Sequence, residues 1–134
     1  MANVIDIEGI GEVYAQKLRE KGVATTEELL QQGATPGGRK ELAQKTGISD
    51  RLILKWVNRA DLFRVKGIGE QYSDLLAAAG VETVLELAQR RPDHLHQKLV
   101  ETNEAKNLVR VVPGLEHVAE WVKEAQKLPR VVSY

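Results

Sequence analysis

Two short stretches of this sequence have a spacing with a definite chemical consequence: Asp6-Ile-Glu8-Gly9-Ile10-Gly11-Glu12 and Arg64-Val-Lys66-Gly67-Ile68-Gly69-Glu70. Each sets two glycines around an isoleucine, immediately before a helix-forming run. The glycines permit backbone angles closed to other residues, so two helices can be joined by a very tight bend. Ile10 or Ile68 can then point into the interhelical core and pin that bend. The amides of the turn and of the first helical residues are left without intrahelical partners. A cluster of N–H groups at a helix N-terminus is a natural seat for an anion, a DNA phosphate included. The plainer reading is that the glycines only make the corner.

The flanking charges separate the two copies. The first turn is surrounded by the carboxylates of Asp6, Glu8 and Glu12, whereas Arg64 and Lys66 precede the second. A phosphate is therefore expected at the second turn, on Arg64, Lys66, Gly67, Ile68 and Gly69. A weaker set is Gly9, Ile10 and Gly11, with Arg39 and Lys40 of a basic helix start. Glu12 and Glu70 follow the turns, where they favour the helix dipole and repel an anion.

Other chemistry finds little support. His94 and His96 are two apart and do not share a helical face, no acidic ligands accompany them, and His117 stands alone, so no metal is expected. Gly9-Ile-Gly11 lacks the third glycine and preceding strand of a dinucleotide fold, and no cofactor is expected. No phosphate-cradling Lys-Ser/Thr loop, Ser-His-Asp set or Cys-His pair is present, so the chain does not read as an enzyme. Trp56 and Trp121 read as packing residues, and Arg90-Arg91 as a solvated surface.

The elements that must hold these turns are helical. Ala, Leu, Glu, Gln and Lys are abundant, prolines number four, and aromatics are 4% of the 134 residues, so the core must be aliphatic. Cysteine is absent, which excludes disulfides and thiolate metal sites. No apolar run approaches the ~20 residues that cross a bilayer, and Met1-Ala-Asn-Val-Ile-Asp6 lacks the pattern of a signal peptide. A cytoplasmic protein with no membrane partner is expected. Lys plus Arg and Asp plus Glu are 19 each, and the balance is even in both halves. Nucleic-acid binders usually carry a basic excess, so any such site must be a local patch.

The chain repeats itself. Residues 7–31 align with 65–89 at an offset of 58 with 12 identities, among them Leu18 with Leu76, Gly22 with Gly80 and Glu28 with Glu86. The later parts match loosely. Trp56 and Trp121 are 65 apart, so the second copy carries about seven extra residues, placed around Asn103–Val112. The pattern predicts an all-α fold of duplicated helix-hairpin-helix units, about eight short helices and no sheet, with repeats at 1–62 and 63–128 and an irregular tail at 129–134. Predicted helices include 11–21, one opened by the Thr25–Glu28 capping box, 39–45, 70–79, 83–90, 92–101 and 115–127, with residues 33–38 as a loop.

The two Gly-Ile-Gly turns resemble the helix-hairpin-helix motif of DNA repair and replication proteins. The whole chain resembles a widespread bacterial family of unknown function with the same duplicated architecture. That resemblance rests on Ile7-Glu-Gly-Ile-Gly11 with Tyr14, Gly37-Gly-Arg39, Trp56-Val-Asn-Arg-Ala-Asp-Leu62, Gly67-Ile-Gly-Glu-Gln-Tyr72 and Ala79-Gly-Val81. The family implies the fold and no established activity. The motif implies contacts of the turn amides with the phosphates of duplex DNA, without sequence readout. Such turns usually continue with a lysine or similar cation, where this chain has Glu12-Val13 and Glu70-Gln71. Non-sequence-specific DNA-backbone binding is the first expectation; a protein-protein interaction or scaffold module that keeps the fold is the alternative.

Overall fold

The computed structural model describes residues 2–134. A 3-10 turn, Val4–Asp6, precedes eight α-helices among the described residues. They are α1 (Glu12–Glu20), α2 (Thr26–Gly33), α3 (Pro36–Thr46), α4 (Asp50–Leu62), α5 (Glu70–Ala78), α6 (Val84–Ala88), α7 (Pro92–Lys106) and α8 (Leu115–Lys127). No sheet forms among them; a single bridge pairs Asn3 with Thr25. None of these helices is long and apolar enough to cross a membrane. The helices fall into two compact units, one of residues up to Asp61 together with Arg130–Tyr134, the other Leu62–Pro129.

Each unit runs through the same sequence of local devices. The first long helix ends where Gly22 or Gly80 takes a left-handed φ of 82° or 96°. The amide of Val23 then reaches the carbonyl of Leu18, and that of Val81 the carbonyl of Leu76, while both valines are buried. This closes the helix and turns the chain into the core in one step. The next helix opens on a threonine. The Thr25 hydroxyl accepts from the Glu28 amide at 3.1 Å, and Glu28 returns a carboxylate to the amides of Ala24 and Thr25. Those two amides hold the Glu28 carboxyl below its ordinary pKa. Thr83 and Glu86 repeat the exchange, with Glu86 accepting from Glu82.

Residues 33–38 are not the loop that their glycines and proline predict. α2 runs to Gly33 and α3 starts at Pro36, leaving two residues between them. Pro36 needs no amide partner in the first turn, and the Thr35 side chain caps the amide of Gly38 at 3.1 Å. A Cβ on Gly38 would run into the carbonyl of Gln32, so the glycine serves a close approach. α7 is likewise longer than its predicted span and ends at Asn107, with φ 51°. Asn103 clamps the exit, donating to the Val109 carbonyl at 3.0 Å and accepting from its amide at 2.9 Å. The added length of the second unit thus lies in the last turns of α7 and the loop 107–114.

The cores are aliphatic. In the second unit, Leu75, Leu76, Leu87, Leu95 and Leu99 are fully buried around Trp121. α8 packs on both α6 and α7. In the first unit, Leu18, Leu29, Leu42, Ile53 and Trp56 are all buried.

The terminal residues set apart as a tail contribute to the first unit. The Ser133 amide donates to the Ala34 carbonyl at 2.8 Å, and the Tyr134 hydroxyl to Asn58 at 2.7 Å. Arg39 joins this return. It is 6% exposed and donates to the carbonyls of Gly33 (2.8 Å) and Ser133 (2.7 Å), beneath the Tyr134 ring. Burial lowers the pKa of its guanidinium, with Tyr134 and Asp50 acting in the opposite direction. Arg39→Ala should therefore destabilise the first unit by about 2–4 kcal/mol, since two carbonyls lose a charged donor. Deleting residues 130–134 should act in the same direction, and Lys40→Ala should stay within about 0.5 kcal/mol. Urea unfolding of the three variants checks the ranking.

Candidate interaction site at the second Gly-Ile-Gly turn

Both turns are built alike. In the second, the Val65 amide donates to the Leu62 carbonyl and the Ile68 amide to the Val65 carbonyl, each at 3.1 Å. Gly67 takes φ +91°, Ile68 is 4% exposed, and Gly69 is extended just before α5. The first turn matches it bond for bond: Ile7 to Val4 and Ile10 to Ile7 at 3.1 Å, Gly9 at φ +93°, and Ile10 at 3% exposure. The isoleucines therefore point inward and pin the corner.

A tryptophan from the last helix of each unit closes on the first glycine. A Cβ on Gly67 would lie 3.1 Å from the Trp121 indole nitrogen, and one on Gly9 3.5 Å from that of Trp56. A tyrosine from the helix after the turn packs on the same ring. Tyr72 and Trp121 have centroids 5.4 Å apart at 54°, and Tyr14 and Trp56 5.2 Å apart at 58°. These are favourable tilted contacts. The tryptophans are packing residues, 1% and 4% exposed.

The polar surroundings of the second turn are less simple than its sequence. No side chain caps Gly69, so the first amides of α5 have no side-chain acceptor. Lys66 is exposed, but its backbone amide donates to the Glu124 carboxylate at 3.1 Å. Arg64 is half-buried and donates to the carbonyl of Pro129 at 2.9 Å. Lys66 and Gly67 border a groove of about 430 Å³ whose floor and walls include Tyr72, Pro113 and Trp121. His117, Glu120 and Glu124 of α8 line it as well. The structure thus brings Lys66 and Gly67 together with two carboxylates, and draws the Arg64 guanidinium to a backbone carbonyl.

The other proposed positions are dispersed. Arg39 is buried in the first unit, and Lys40 is an exposed residue of α3. Beside the first turn, Asp6 accepts from the Asn3 amide, and Glu12 pairs with Arg19 at 3.5 Å. A smaller hollow of about 220 Å³ lies between α2 and α3, where Lys45 and Glu41 pair at 2.8 Å. On α7, His94 is exposed and His96 half-buried, and among the described residues no three metal-ligating side chains converge.

One feature of the site escapes a count of charges by halves. With Trp56 placed on Trp121, Arg51, Lys55 and Arg59 of α4 fall on Glu116, Glu120 and Glu124 of α8, at the same offset of 65. These three positions change sign between the helices, although Asp50 and Asp61 of α4 and Lys123 and Lys127 of α8 leave each helix within one charge of neutral, three of one sign against two of the other. The signal was in the sequence, but only in the register that the tryptophans set.

These features define an all-helical protein of two compact units, each with a glycine turn that a tryptophan closes on. Residues 8–128 match the family described as a domain of unknown function (DUF4332), and the chain belongs to that family. No curated protein and no solved structure matches it.

The contact between turn and indole predicts a contrast between the two glycines of one turn. Gly67→Ala meets both a left-handed backbone and the Trp121 ring, and should cost the second unit at least about 1–2 kcal/mol. Gly69→Ala has an ordinary φ and open space around its Cβ, and should cost well under 1 kcal/mol. Urea midpoints followed by tryptophan fluorescence distinguish them.

Proposed function

We propose that this protein is a protein-interaction module, in which the helix-hairpin-helix turns serve as rigid corners for charged helix faces. The observation that carries this reading is the hydrogen bond from the Lys66 amide to Glu124, with Glu120 in the same groove. A phosphate approaching the second turn would meet two carboxylates, one of them already bonded to a turn amide. Like charges brought together in this way disfavour an anion. Arg64, the other cation expected to draw a phosphate, instead serves the Pro129 carbonyl. The first turn offers Glu8 and Glu12, both exposed. Zero net charge also withholds the long-range attraction on which backbone-directed DNA binding depends.

A second reading, weak binding to the backbone of duplex DNA, keeps one specific support. The start of α5 has no side-chain cap, and the exposed Lys66 stands beside it. The two readings separate in one experiment. Duplex DNA is titrated with the chain at low salt, alongside Lys66→Glu. The interaction reading expects no saturable binding by either protein. Saturable binding that weakens steeply with salt and is lost in Lys66→Glu would replace it with the DNA reading. A photo-crosslinking residue at position 120 adds a positive arm: a discrete protein adduct is expected there, and none from the same probe at exposed Lys17 on α1.

A further inference from the structure

Trp121 and Trp56 are packing residues, yet each carries one polar group that the packing leaves open. Trp121 is 4% exposed and Trp56 1%, and neither indole N–H meets an acceptor among the described residues. A buried indole N–H ordinarily has a partner. Among the described residues no side-chain nitrogen or oxygen is both sealed from solvent and unbonded, so the small exposed part of each ring includes its N–H. At Trp121 this donor stands beside Gly67, where a Cβ would lie 3.1 Å from the nitrogen, just ahead of the uncapped start of α5. It opens on the groove of about 430 Å³ that both residues border. The second unit's own loop fixes one wall of that groove. The Tyr72 hydroxyl donates to the Val111 carbonyl at 3.1 Å and ties the loop 107–114 to α5, with buried Pro113 at the groove. Tyr14 makes no such bond in the first unit.

The charges at the groove are not paired with one another. Glu120 is exposed and has no ion pair, and Glu124 is bonded to the Lys66 amide and not to its ammonium. Lys123 and Lys127 are also exposed on α8, but neither borders the groove and neither pairs with Glu120 or Glu124. We infer that the groove takes an extended segment of another protein that carries a lysine or arginine. A main-chain carbonyl of the segment accepts from the Trp121 indole N–H. The basic side chain lays its methylene stem along Tyr72 and Pro113 and sets its charge on Glu120. This inference rests on the interaction reading above and names what the partner presents. A neutral carbonyl suits a donor flanked by two carboxylates, where a phosphate does not. At the equivalent positions of the first unit, Lys55 and Arg59 replace Glu120 and Glu124, so the Trp56 N–H lacks these carboxylates.

The test follows the indole N–H resonances of the full chain, which has two tryptophans, during titration with the acetylated and amidated peptide Ala-Lys-Ala-Arg-Ala. The Trp121 resonance is expected to shift saturably while that of Trp56 stays in place. The same peptide with glutamate at both basic positions should move neither. Glu120→Lys should weaken the basic peptide about fivefold or more, since a reversed charge replaces attraction with repulsion. Glu120→Gln should weaken it less. Circular dichroism checks that both variants are folded; if the first is not, the second carries the comparison. A Trp121 resonance that the basic peptide leaves unmoved overturns the inference. So does one that the acidic peptide moves equally, or a shift that the change at position 120 leaves as strong. If the basic peptide fails while a probe at position 120 still crosslinks a protein, the inferred occupant alone is overturned and the interaction reading stands. Duplex DNA that moves the Trp121 resonance saturably where the peptide does not overturns both.

Discussion

Each unit of this protein depends on a tryptophan reaching a glycine that has no side chain to keep it away. Trp121 comes from the last helix of its unit, Gly67 from the turn before the first, and the indole nitrogen stands where a Cβ would be crowded. The glycine meets two demands at once. Its positive φ makes the bend, and its bare Cα admits the ring. Ile68 enters the core on the next residue, and Tyr72 packs against the indole. The turn, α5 and α8 are thereby fixed to one another by one residue triplet. Gly9, Trp56 and Tyr14 do the same for α1 and α4. In a small unit with an aliphatic core, such a long-range anchor does much to specify one arrangement of short helices.

The surface around this anchor differs between the two units. The two turns share their hydrogen bonds, all at 3.1 Å, yet one is preceded by Asp6 and Glu8 and the other by Arg64 and Lys66. The last helices diverge in the opposite sense, from Arg51, Lys55 and Arg59 to Glu116, Glu120 and Glu124. In the second unit the opposition is a direct contact, Lys66 amide to Glu124 carboxylate. The helix-entry amides that make such turns receptive to anions are a property of the backbone. What approaches them is decided by side chains from a different helix.

This division explains which features the sequence disclosed. The glycine turns, the inward isoleucines and the threonine caps follow from residues within a few positions of each other, and their chemistry was legible. The helical character of Pro36-Gly37-Gly38 was not, because a breaker composition hid a proline at a helix start and a threonine cap ahead of it. The last turns of α7 were missed because Thr102 to Lys106 carry no apolar periodicity, although Thr102 is buried. Arg39 appeared to be a surface cation because its partner, Ser133, lies 94 residues away. Lys66 and Glu124 are 58 apart, and only the fold brings them together. Local chemistry sets the corners, while distant contacts determine which charges remain available.

That last point bears on what a balanced composition means. Nineteen charges of each sign can be mixed evenly over a surface, so that no face has a preference. Here the positions around the tryptophan change sign, from Arg51, Lys55 and Arg59 in α4 to Glu116, Glu120 and Glu124 in α8, while Asp50, Asp61, Lys123 and Lys127 keep each helix within one charge of neutral. A core constrained by the glycine, tryptophan and tyrosine contact tolerates such reversal, because Arg51, Lys55, Glu116 and Glu120 lie outside it. Under the proposed reading, each unit holds a charged helix surface beside its own glycine turn, and the two surfaces differ in the placement of their charges. Zero net charge holds within each half as well as over the chain, so the two units differ in where their charges stand and not in how many they carry.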